Sequence, residues 1–343
     1  MGQKIIALDA MGGDHGPSVT VAAAKLALDE IPDLELVLVG DERQLAAEFE
    51  KHNLSENSRL EIRHASQVVD MDDLPALALK KKKDSSMRVA INLVKEGRVQ
   101  ACVSAGNTGA LMATSKFVLK TIQGISRPAI CTTLPGINGH THMLDLGANL
   151  ECTPENLAEF ALMGSVLSQS VEGIKNPSIG LLNVGSESVK GSESIKRASQ
   201  LIDESRLNYY GFVEGDDIYK GTVNVIVTDG FVGNVSLKTA EGLAALVSHV
   251  LQNEFKRTWL TKLAAVCALP VLSSVRRKLD PRRYNGASLL GLNGIVVKSH
   301  GSADTSSYLN AIKIAALEID NSVPQRISSA IASYFNQVEE AVT

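Results

Sequence analysis

Residues 223–235, VNVIVTDGFVGNV, decide how the rest of the sequence is interpreted, because an apolar run passes directly into an acid, two glycines and an asparagine. The apolar part, residues 223–227, is typical of a buried strand, and a long helical pattern begins at Val235. Glycines at such a junction let backbone N–H groups approach a ligand, and the N-terminal end of the next helix favours anions. The stretch therefore predicts an α/β fold with an anion site where a strand ends.

The same sequence of strand, polar loop and helix recurs along the chain. Apolar runs that predict strands are KIIALD, LELVLVG, QACVSAG, PAICTTL, SIGLLNVG, VNVIVTDG and GIVVKSH, and helical patterns cover residues 17–31, 86–96, 108–120 and 154–170. Strands that alternate with helices favour a mainly parallel sheet covered on both faces. No linker divides the chain, so residues 1–343 are expected to form a single large α/β unit.

Composition narrows the class of protein. The formal charge of −4 gives no basic excess for nucleic acid, and the low aromatic content of 4 % favours α/β over an all-β sandwich. Cys102 and Cys131 lie in apolar runs, and no pair of cysteines has metal or redox spacing. No segment reaches the roughly 20 apolar residues of a membrane span, and the N-terminus does not resemble a secretory signal. We expect a cytoplasmic protein.

Polar side chains and glycines follow the predicted strands, where ligands gather in parallel α/β sheets. We expect these residues to meet at one edge of the sheet. The candidates are Asp9, Gly12, Gly13, His15, Ser104, Asn107, Thr108, Gly109, Asp145, Asn149, Lys190, Asp229, Gly230, Gly233, Asn234 and His300.

The loop SAGNTGALM, residues 104–112, is the best candidate for an anion site. A strand leads into Asn107, Thr108 and Gly109, and a helix follows, so backbone N–H groups and the threonine hydroxyl are placed to hold a phosphate. The alternative is an ordinary turn with an Asn or Thr helix cap. No loop matches a dinucleotide or P-loop signature, and no cofactor is expected.

Charged residues in the other loops have both a functional and a structural interpretation. Lys190 is suited to binding phosphate or stabilising developing negative charge, although a lone lysine is more often a solvated surface residue. Asp9, Asp14, Asp145 and Asp229 are candidate bases or ligands, and acids at these places commonly cap helices and turns.

Histidines offer a weak case for metal. His140 and His142 in GHTHM would point to one face of a strand, but no third ligand is evident in the sequence. We therefore interpret them as two solvated loop histidines and expect no metal. His15 and His300, in the glycine-rich loops, are the better candidates for site histidines. The lysines at 80–83 read as a solvated run before a helix capped by Ser85 or Ser86, which would also attract an acidic partner.

Residues 250–285 differ in kind from the rest, and we expect them to form a basic, apolar helical projection. Between residues 254 and 283 the chain carries eight Lys or Arg and two acids, a net charge of +6. Phe255, Trp259, Leu263 and Val266 recur at helical spacing. Basic residues beside an apolar stripe suit the surface of an anionic membrane, and a helical hairpin in a subunit interface is the alternative.

Seven motifs in the same order resemble the bacterial phosphate acyltransferase family, also called acyl-acyl-carrier-protein:phosphate transacylase. They are DAMGGDHGP, KKKDSSM, SAGNTGALM, LDLGAN, EGDDI, DGFVGNVSLKTAEG and YNGASLLGLNGIVVKSHGSAD, which together extend over nearly the whole chain. Gly16 replaces the family's usual alanine, and the loop NVGSESVKG is poorer in glutamate than the family loop.

The resemblance implies an α/β/α sandwich similar to phosphotransacetylases and to isocitrate and isopropylmalate dehydrogenases, working as a homodimer. It implies that fatty acyl-acyl-carrier protein and inorganic phosphate react to give acyl phosphate and free carrier in phospholipid synthesis. A membrane-bound glycerol-3-phosphate acyltransferase would then use the acyl phosphate. The protein is accordingly expected at the inner face of the cell membrane, as a peripheral protein.

Such a reaction needs no covalent intermediate, because phosphate is an anionic nucleophile and a thioester has a good leaving group. We expect Asn107, Thr108 and the N–H groups around Gly109 to hold phosphate. Lys190 would neutralise charge, and Asn234 would donate a hydrogen bond to the oxyanion, in a turn shaped by Gly230 and Gly233. Asp229 would orient its neighbours, and His15 would protonate the departing thiolate.

Overall fold

The computed structural model describes residues 3–54, 57–278 and 285–342, with side chains except at 275–278 and 335–342. The strands in this part of the chain are β1 (Lys4–Asp9), β2 (Leu34–Gly40), β3 (Leu60–His64), β4 (Ala101–Ser104), β5 (Ala129–Gly136), β6 (Gly139–Leu144), β7 (Ser178–Leu182), β8 (Asn208–Val213), β9 (Val225–Val227), β10 (Ala287–Leu290) and β11 (Ile295–Lys298). They form a single mixed sheet in the order β3-β2-β1-β4-β11-β10-β5-β6-β9-β7-β8.

The helices lie between these strands and after the last one. They are α1 (Pro17–Glu30), α2 (Glu42–His52), α3 (Pro75–Lys81), α4 (Ser86–Lys95), α5 (Thr108–Leu119), α6 (Pro154–Glu172), α7 (Glu193–Asp203), α8 (Asp217–Lys220), α9 (Gly230–Lys256), α10 (Trp259–Lys278), α11 (Thr305–Asp320) and α12 (Val323–Val342). Pro17 and Pro154 begin their helices as predicted, where the missing N–H of proline costs no hydrogen bond.

Helices cover both faces of the sheet, which confirms the predicted α/β class. Ile6 and Leu8 of β1 point into one core, which α1 and α11 cover, whereas Ala7 points to the other face, where α4 and α5 pack. The alternation follows from the pleat of a strand, which turns successive side chains to opposite faces. Because helices cover both sides, the central strands are almost continuously apolar rather than alternating.

The sheet reverses direction in its middle. Strand β10 runs antiparallel to both β11 and β5, and β6 runs antiparallel to β5. The strands β6, β9, β7 and β8, which are parallel to one another, therefore run opposite to β1, β2, β3, β4 and β11. The carboxyl ends of β1, β4 and β11 define what we call the first edge, and those of β6, β9 and β7 define the second edge.

This reversal corrects the expectation that all the candidate loops meet at one edge. The sequence pattern contains β1, β2, β4, β5, β7, β9 and β11, but β3, β6, β8 and β10 were not predicted. Two of these, β6 and β10, are the strands that reverse the chain direction. If these two strands are overlooked, all the predicted strands are expected to be parallel, and the polar loops of both halves are then expected on the same side of the sheet.

Helices α9 and α10 contain most of the segment in which a basic, apolar helical projection was predicted. They contact each other, and large apolar side chains on both are exposed, including Leu243, Leu246, Trp259, Leu263 and Val266. Phe255 is half-buried at the end of α9. Thr258 and Thr261 cap the start of α10 reciprocally, with N···Oγ1 distances of 3.0 and 3.2 Å.

The predicted apolar stripe is thus divided between two helices. Phe255 belongs to α9, whereas Trp259, Leu263 and Val266 belong to α10. No described helix is long and apolar enough to cross a membrane. Of the basic residues predicted here, the side chains of Arg276, Arg277 and Lys278 and the whole of Arg282 and Arg283 lie outside the described residues.

Candidate functional site

Three polar residues lie side by side at the first edge. Asp9, Ser104 and Lys298 end β1, β4 and β11, and the strand register places Ser104 opposite both of the others. All three are buried. The residue two positions earlier on each strand belongs to the core on which α4 and α5 pack, so the three side chains lie on that face of the sheet. Ser104 Oγ donates a hydrogen bond of 2.6 Å to Asp9 Oδ2 and accepts one of 3.1 Å from the Gly106 N–H. We call these three residues the first-edge row.

Asp9 carries a buried carboxyl group at this edge. Burial raises the pKa of Asp9 above its ordinary value, and hydrogen bonds from Ser104, Ser86 and the N–H groups of Met11 and Gly12 oppose that shift. The second oxygen, Oδ1, is buried and has no hydrogen-bond partner among the described residues. A buried acceptor of this kind is costly unless a ligand satisfies it, so the row has the features of a binding site.

Lys298 supplies a buried cation at the same place. Its Nζ donates to the carbonyl oxygen of Ala105 at 3.2 Å and to that of Ser299. Burial lowers its pKa to about 8, against the opposing charges of Asp9 and Asp14, so the group is still mainly an ammonium at neutral pH. An ammonium has three donors, and the two carbonyl contacts leave one for a ligand.

Glycines bring two loops against each other beside the row. A Cβ on Gly12 would lie 2.6 Å from Asp9 Oδ2 and 2.8 Å from the Gly106 nitrogen, and one on Gly13 would lie 2.9 Å from the Ala105 Cβ. Gly13 also has φ +84°, a conformation that side chains rarely adopt. The predicted role of Gly12 and Gly13 as close-approach residues therefore has a definite steric cause.

The loop before α5 uses its asparagine structurally. Asn107 Oδ1 accepts a hydrogen bond from the Ala110 N–H at 3.0 Å, and its Nδ2 donates to the carbonyl oxygens of Met71 and Asp73 at 2.8 and 3.1 Å. The helix-cap alternative describes this side chain, so any contact with phosphate falls to backbone groups. Thr108 and Gly109 are exposed in the first turn of α5.

The two candidate histidines are exposed at the first edge. His15 lies in the loop between β1 and α1, and His300 follows β11. The position of His300 is held by Asn285, whose Oδ1 accepts from the His300 N–H at 2.9 Å and whose Nδ2 donates to Ser299 Oγ at 2.8 Å. Asp14 N donates to the Gly301 carbonyl at 2.9 Å, which joins the loops after β1 and β11.

A second group of candidates lies at the second edge, and there Asp145 is fully occupied by hydrogen bonds. Its Oδ1 accepts from the N–H groups of Ile130 and Ala148 at 2.9 and 3.1 Å, and its Oδ2 accepts from the backbone N–H and Nδ2 of Asn149 at 2.6 and 2.9 Å. Burial raises the pKa of Asp145, and these donors oppose that shift. Asp145 therefore orders the loop and has little capacity left for a ligand.

Gly230 and Gly233 belong to the first turn of α9, which begins five residues earlier than the predicted helix at Val235. A Cβ on Gly233 would lie 1.9 Å from the Asp145 carbonyl oxygen, and one on Gly230 would lie 2.6 Å from that of Asn149. The prediction that these glycines shape a turn is wrong. They are required because the helix packs directly on the loop after β6.

Asp229 is the N-cap of α9, where its Oδ1 accepts from the Val232 N–H at 2.8 Å. Asn234 is exposed on the second turn and lies against the loop after β6, within 3.5 Å of where a Gly147 Cβ would be. Lys190 is also exposed, in a loop held by Asn183, whose Nδ2 donates to the carbonyl oxygens of Gly185 and Lys190 at 3.1 and 3.3 Å.

Helix α9 connects the two edges. It begins at Gly230 at the second edge, Leu237 packs against the apolar core on the same face of the sheet as the first-edge row, and Lys238 is close enough for its charge to lower the pKa of Lys298. The eight residues from Gly230 to Lys238 span about 12 Å of helix, close to the length of a short strand. The first turns of α9 therefore run along this face of the sheet from the second edge towards Lys298.

Lys298 is the residue that the sequence analysis missed. Its signal was present, since a lysine directly follows the apolar residues Ile295, Val296 and Val297, and a charge at the end of a buried strand is rarely placed without a partner. Lys82, in the run interpreted as solvated, is instead paired with Asp70 and Asp73 at 2.8 and 2.5 Å. Ser85 caps α4, as predicted.

The interpretation of His140 and His142 as solvated loop histidines is wrong. Both lie on β6, and His142 is 3 % exposed. Their partner is Glu172, the last residue of α6, which is 30 positions away from His142 and so left no local signal in the sequence.

The first-edge row can bind a small anion. A buried ammonium and the N–H groups of glycine-rich loops lie at one place at the end of parallel strands, next to the N-terminus of α5. Such groups can also stabilise negative charge that develops in a transition state.

Comparisons with known proteins agree with this chemistry. Residues 4–326 match the family described as Fatty acid synthesis protein. The chain is 56 % identical over 330 residues to a phosphate acyltransferase of Methylococcus capsulatus, covering 96 % of this chain and 97 % of that protein. It is also 56 % identical over 336 residues to a phosphate acyltransferase of Chromobacterium violaceum, covering 98 % and 97 % of the two chains.

Solved structures show the same fold at much lower identity. A phosphotransacetylase from Streptococcus pyogenes superposes with a TM-score of 0.63 at 18 % identity, over 92 % of this chain and 94 % of that one. The EutD phosphotransacetylase from Staphylococcus aureus gives 0.61 at 18 % identity over the same shares. Because relatives more than half identical match it along nearly its whole length, the chain belongs to the phosphate acyltransferase family.

Proposed function

We propose that this chain transfers a fatty acyl group from acyl-carrier protein to inorganic phosphate, releasing acyl phosphate and free carrier for phospholipid synthesis. The observation that supports this best is the buried ammonium of Lys298 beside Ser104 and the glycine loops. This arrangement provides a small anion with both a positive charge and hydrogen-bond donors.

Phosphate would bind at the first-edge row. The remaining donor of Lys298, backbone N–H groups in the first turn of α5, and the hydroxyl of Thr108 would contact its oxygens. A protonated phosphate oxygen would donate to the unpartnered Oδ1 of Asp9. This arrangement would hold the nucleophile in place without a covalent enzyme intermediate.

The thioester would lie along the first turns of α9, with its carbonyl carbon towards the bound phosphate. Phosphate oxygen attacks the carbonyl carbon, the carbonyl becomes an oxyanion, and the thiolate of the carrier leaves as the C–S bond breaks. Asn234 and Lys190 are proposed to stabilise that oxyanion, and His15 is proposed to protonate the thiolate. Asp229 and Asp145 would act only by fixing the N-terminus of α9.

Membrane contact and dimer formation are proposed for α9 and α10. Their exposed leucines, valines and Trp259 form apolar surface that a protein does not usually leave in water, and Lys256, Arg257 and Lys262 lie among them. We propose that α10 docks on the anionic inner face of the cell membrane and that a second copy of the chain covers part of α9. Acyl phosphate would then be released near a membrane-bound glycerol-3-phosphate acyltransferase.

The proposal is tested by incubating the purified chain with acyl-acyl-carrier protein and measuring free carrier and acyl phosphate. Both products should appear together, and both should require inorganic phosphate. Release of free carrier without phosphate would indicate a thioesterase. No release at all, with retained phosphate binding, would indicate a non-catalytic sensor. Reduction of NAD with a hydroxy acid and a divalent metal would indicate a decarboxylating dehydrogenase.

A further inference from the structure

Two histidines and a glutamate converge on the face of the sheet opposite the first-edge row. His142 Nε2 lies 2.5 Å from Glu172 Oε1, and His140 Nε2 contacts the same oxygen. One ligand atom from each residue lies within 4.8 Å of the other two. We call these three residues the His-His-Glu cluster.

The geometry of β6 and α6 explains why the three residues meet. His140, His142 and Leu144 share one face of β6, and Leu144 packs against Gly164 of α6. From Gly164 to Glu172 the helix advances eight residues, about 12 Å. From Leu144 back to His140 the strand covers four residues, about 13 Å. The two distances match, so the last residue of the helix arrives above the two histidines.

One nitrogen in the cluster is buried and has no hydrogen-bond partner among the residues that the structure describes. His142 is 3 % exposed, and its Nε2 makes no hydrogen bond with acceptable geometry despite its proximity to Glu172. Two imidazole nitrogens this close to one carboxylate oxygen are held there either by a hydrogen on each nitrogen or by a metal ion that all three groups ligate. The group therefore resembles a ligand set more than a set of satisfied polar side chains.

Two neighbouring hydroxyl groups contact the side chains of the cluster. In metal sites, hydrogen bonds of this kind fix the orientation of the ligands. Thr133 Oγ1 lies 3.1 Å from His142 Nδ1, which leaves Nε2 as the ligating nitrogen when Nδ1 carries the proton. Ser168 Oγ donates to Glu172 Oε2 at 3.1 Å and leaves Oε1 facing the histidines. Two of the three candidate ligands thus have a fixed orientation.

We propose that His140, His142 and Glu172 bind one divalent transition-metal ion of the zinc class. Two imidazoles and one carboxylate suit Zn²⁺, Co²⁺ or Ni²⁺ rather than Mg²⁺ or Ca²⁺, which prefer oxygen ligands. Three protein ligands leave a fourth position for water, and the side chain of His140 is 43 % exposed, which gives the ion a path from solvent. The ion would tie the start of β6 to the end of α6.

This inference is independent of the proposed acyl transfer. His142 and Leu144 point to the face covered by α6, whereas Lys298 lies on the face where α4 and α5 pack. The ion would therefore stabilise the fold and take no part in the reaction. Chelation should lower the melting temperature and leave the acyl-transfer rate at moderate temperature unchanged.

The test uses the full chain without an affinity tag, freed of metal by a chelator and titrated with Zn²⁺ against a chromophoric chelator near neutral pH. We expect one Zn²⁺ per chain and a raised melting temperature. His140→Ala and Glu172→Gln should each weaken binding by about 10–100-fold, the usual scale for losing a ligand or its support. Co²⁺ should give the visible absorption of a tetrahedral site in the wild type and not in these two variants.

His52→Ala is the matched control, because His52 Nε2 also faces a glutamate, at 4.0 Å from Glu48 Oε2, but has no third ligand. It should bind Zn²⁺ like the wild type. Absence of stoichiometric binding in the wild type, or equal binding in all four proteins, would overturn the proposal. In that event the cluster holds a proton. Circular dichroism of each variant separates loss of ligand from loss of fold.

Discussion

The ammonium nitrogen of Lys298 lies 3.2 Å from the carbonyl oxygen of Ala105, at the end of three parallel strands. This contact and the one to the Ser299 carbonyl hold a cation where the core would otherwise favour an apolar side chain. Its lowered pKa of about 8 measures the energetic cost of that burial, because each unit below 10.5 corresponds to about 1.4 kcal/mol. The first prediction concerns this charge.

Anion binding should weaken as pH rises through about 8, because Lys298 loses its proton there. Sulfate is a suitable probe, since it does not titrate in this range. Lys298→Arg should bind sulfate with little change across the same range, and Lys298→Met should bind it weakly throughout. Isothermal titration calorimetry at several pH values measures all three. A flat pH profile in the wild type would show that Lys298 does not face the anion.

Lys298→Met should raise the free energy of unfolding at neutral pH, although it weakens sulfate binding. In the wild type, Lys298 loses its proton near pH 8 in the folded state and near 10.5 in the unfolded state. The buried ammonium therefore lowers the free energy of unfolding by its full amount below pH 8, and this effect disappears between pH 8 and 10.5. The variant should therefore be more resistant to urea at neutral pH than the wild type while binding less sulfate. Reduced resistance would mean that the ammonium contributes to the fold.

Lys190→Ala and Asn234→Ala should each lower turnover by about two orders of magnitude or more, the usual scale for losing an oxyanion donor. Carrier release under saturating phosphate measures the effect. Lys175→Ala is the control, because Lys175 is an exposed lysine before β7 and Lys190 follows that strand. Rates near wild type in both folded variants would remove these residues from the mechanism.

Gly233→Ala should be poorly tolerated, because the added Cβ would lie 1.9 Å from the Asp145 carbonyl oxygen. The start of α9 has to shift, which should reduce both stability and turnover. Gly242→Ala lies on the same helix with nothing within 4 Å of the added Cβ, and should stabilise by about 0.5–1 kcal/mol. Thermal unfolding of the pair separates the contact from helix propensity. Equal effects would contradict the packing argument.

Glu318 makes the fold sensitive to pH. Burial raises its pKa to about 7, and the hydroxyl of Ser288 donates to its carboxyl group. Between pH 4.5 and 7 the unfolded chain is ionised while the folded chain keeps its proton, so stability falls as pH rises through this window. The total loss is between about 3 and 4 kcal/mol, from 2.5 units at about 1.4 kcal/mol each.

Glu318→Gln should remove this loss, because the amide has similar shape and does not ionise. The variant should gain stability over the wild type at about pH 8 and differ little at about pH 5. Urea unfolding at both values measures the difference. An advantage of the same size at both values would show that ionisation of Glu318 is not its source.

Trp259→Glu combined with Leu263→Glu should abolish binding to vesicles of anionic phospholipid and spare turnover of soluble acyl-acyl-carrier protein. Both side chains are exposed on α10, at 72 % and 57 %. Ile137→Glu, which changes an 84 % exposed residue between β5 and β6, is the control and should bind vesicles normally. Unchanged sedimentation of the double variant would reject the membrane contact. Dissociation into monomers would assign the face to a subunit contact.

The fold class was accessible from the sequence because the central parallel strands are continuous apolar runs followed by glycine. KIIALD and LELVLVG correspond to β1 and β2 residue for residue. Boundaries such as Asn107 before α5 and Ser85 before α4 were also accessible, since a cap is a local hydrogen bond. Features that depend on neighbours within a few residues were therefore well predicted.

Features that depend on distant partners were not. β10 is a four-residue strand, ASLL, whose place between β11 and β5 has no local signature. Lys298 was overlooked because its importance comes from being in register with Ser104, almost 200 residues earlier. The histidines of β6 were misassigned for the same reason, since Glu172 approaches them only through the packing of α6.

The position of β11 also has a consequence during synthesis. The two halves of the sheet are joined through residues 287–298, which lie between β4 and β5 in space but are translated long after both. A nascent chain that ends before this hairpin leaves β4 with one edge unpaired and exposed to aggregation. Asp9 and Ser104 therefore gain the lysine of the first-edge row only when about six-sevenths of the polypeptide has left the ribosome.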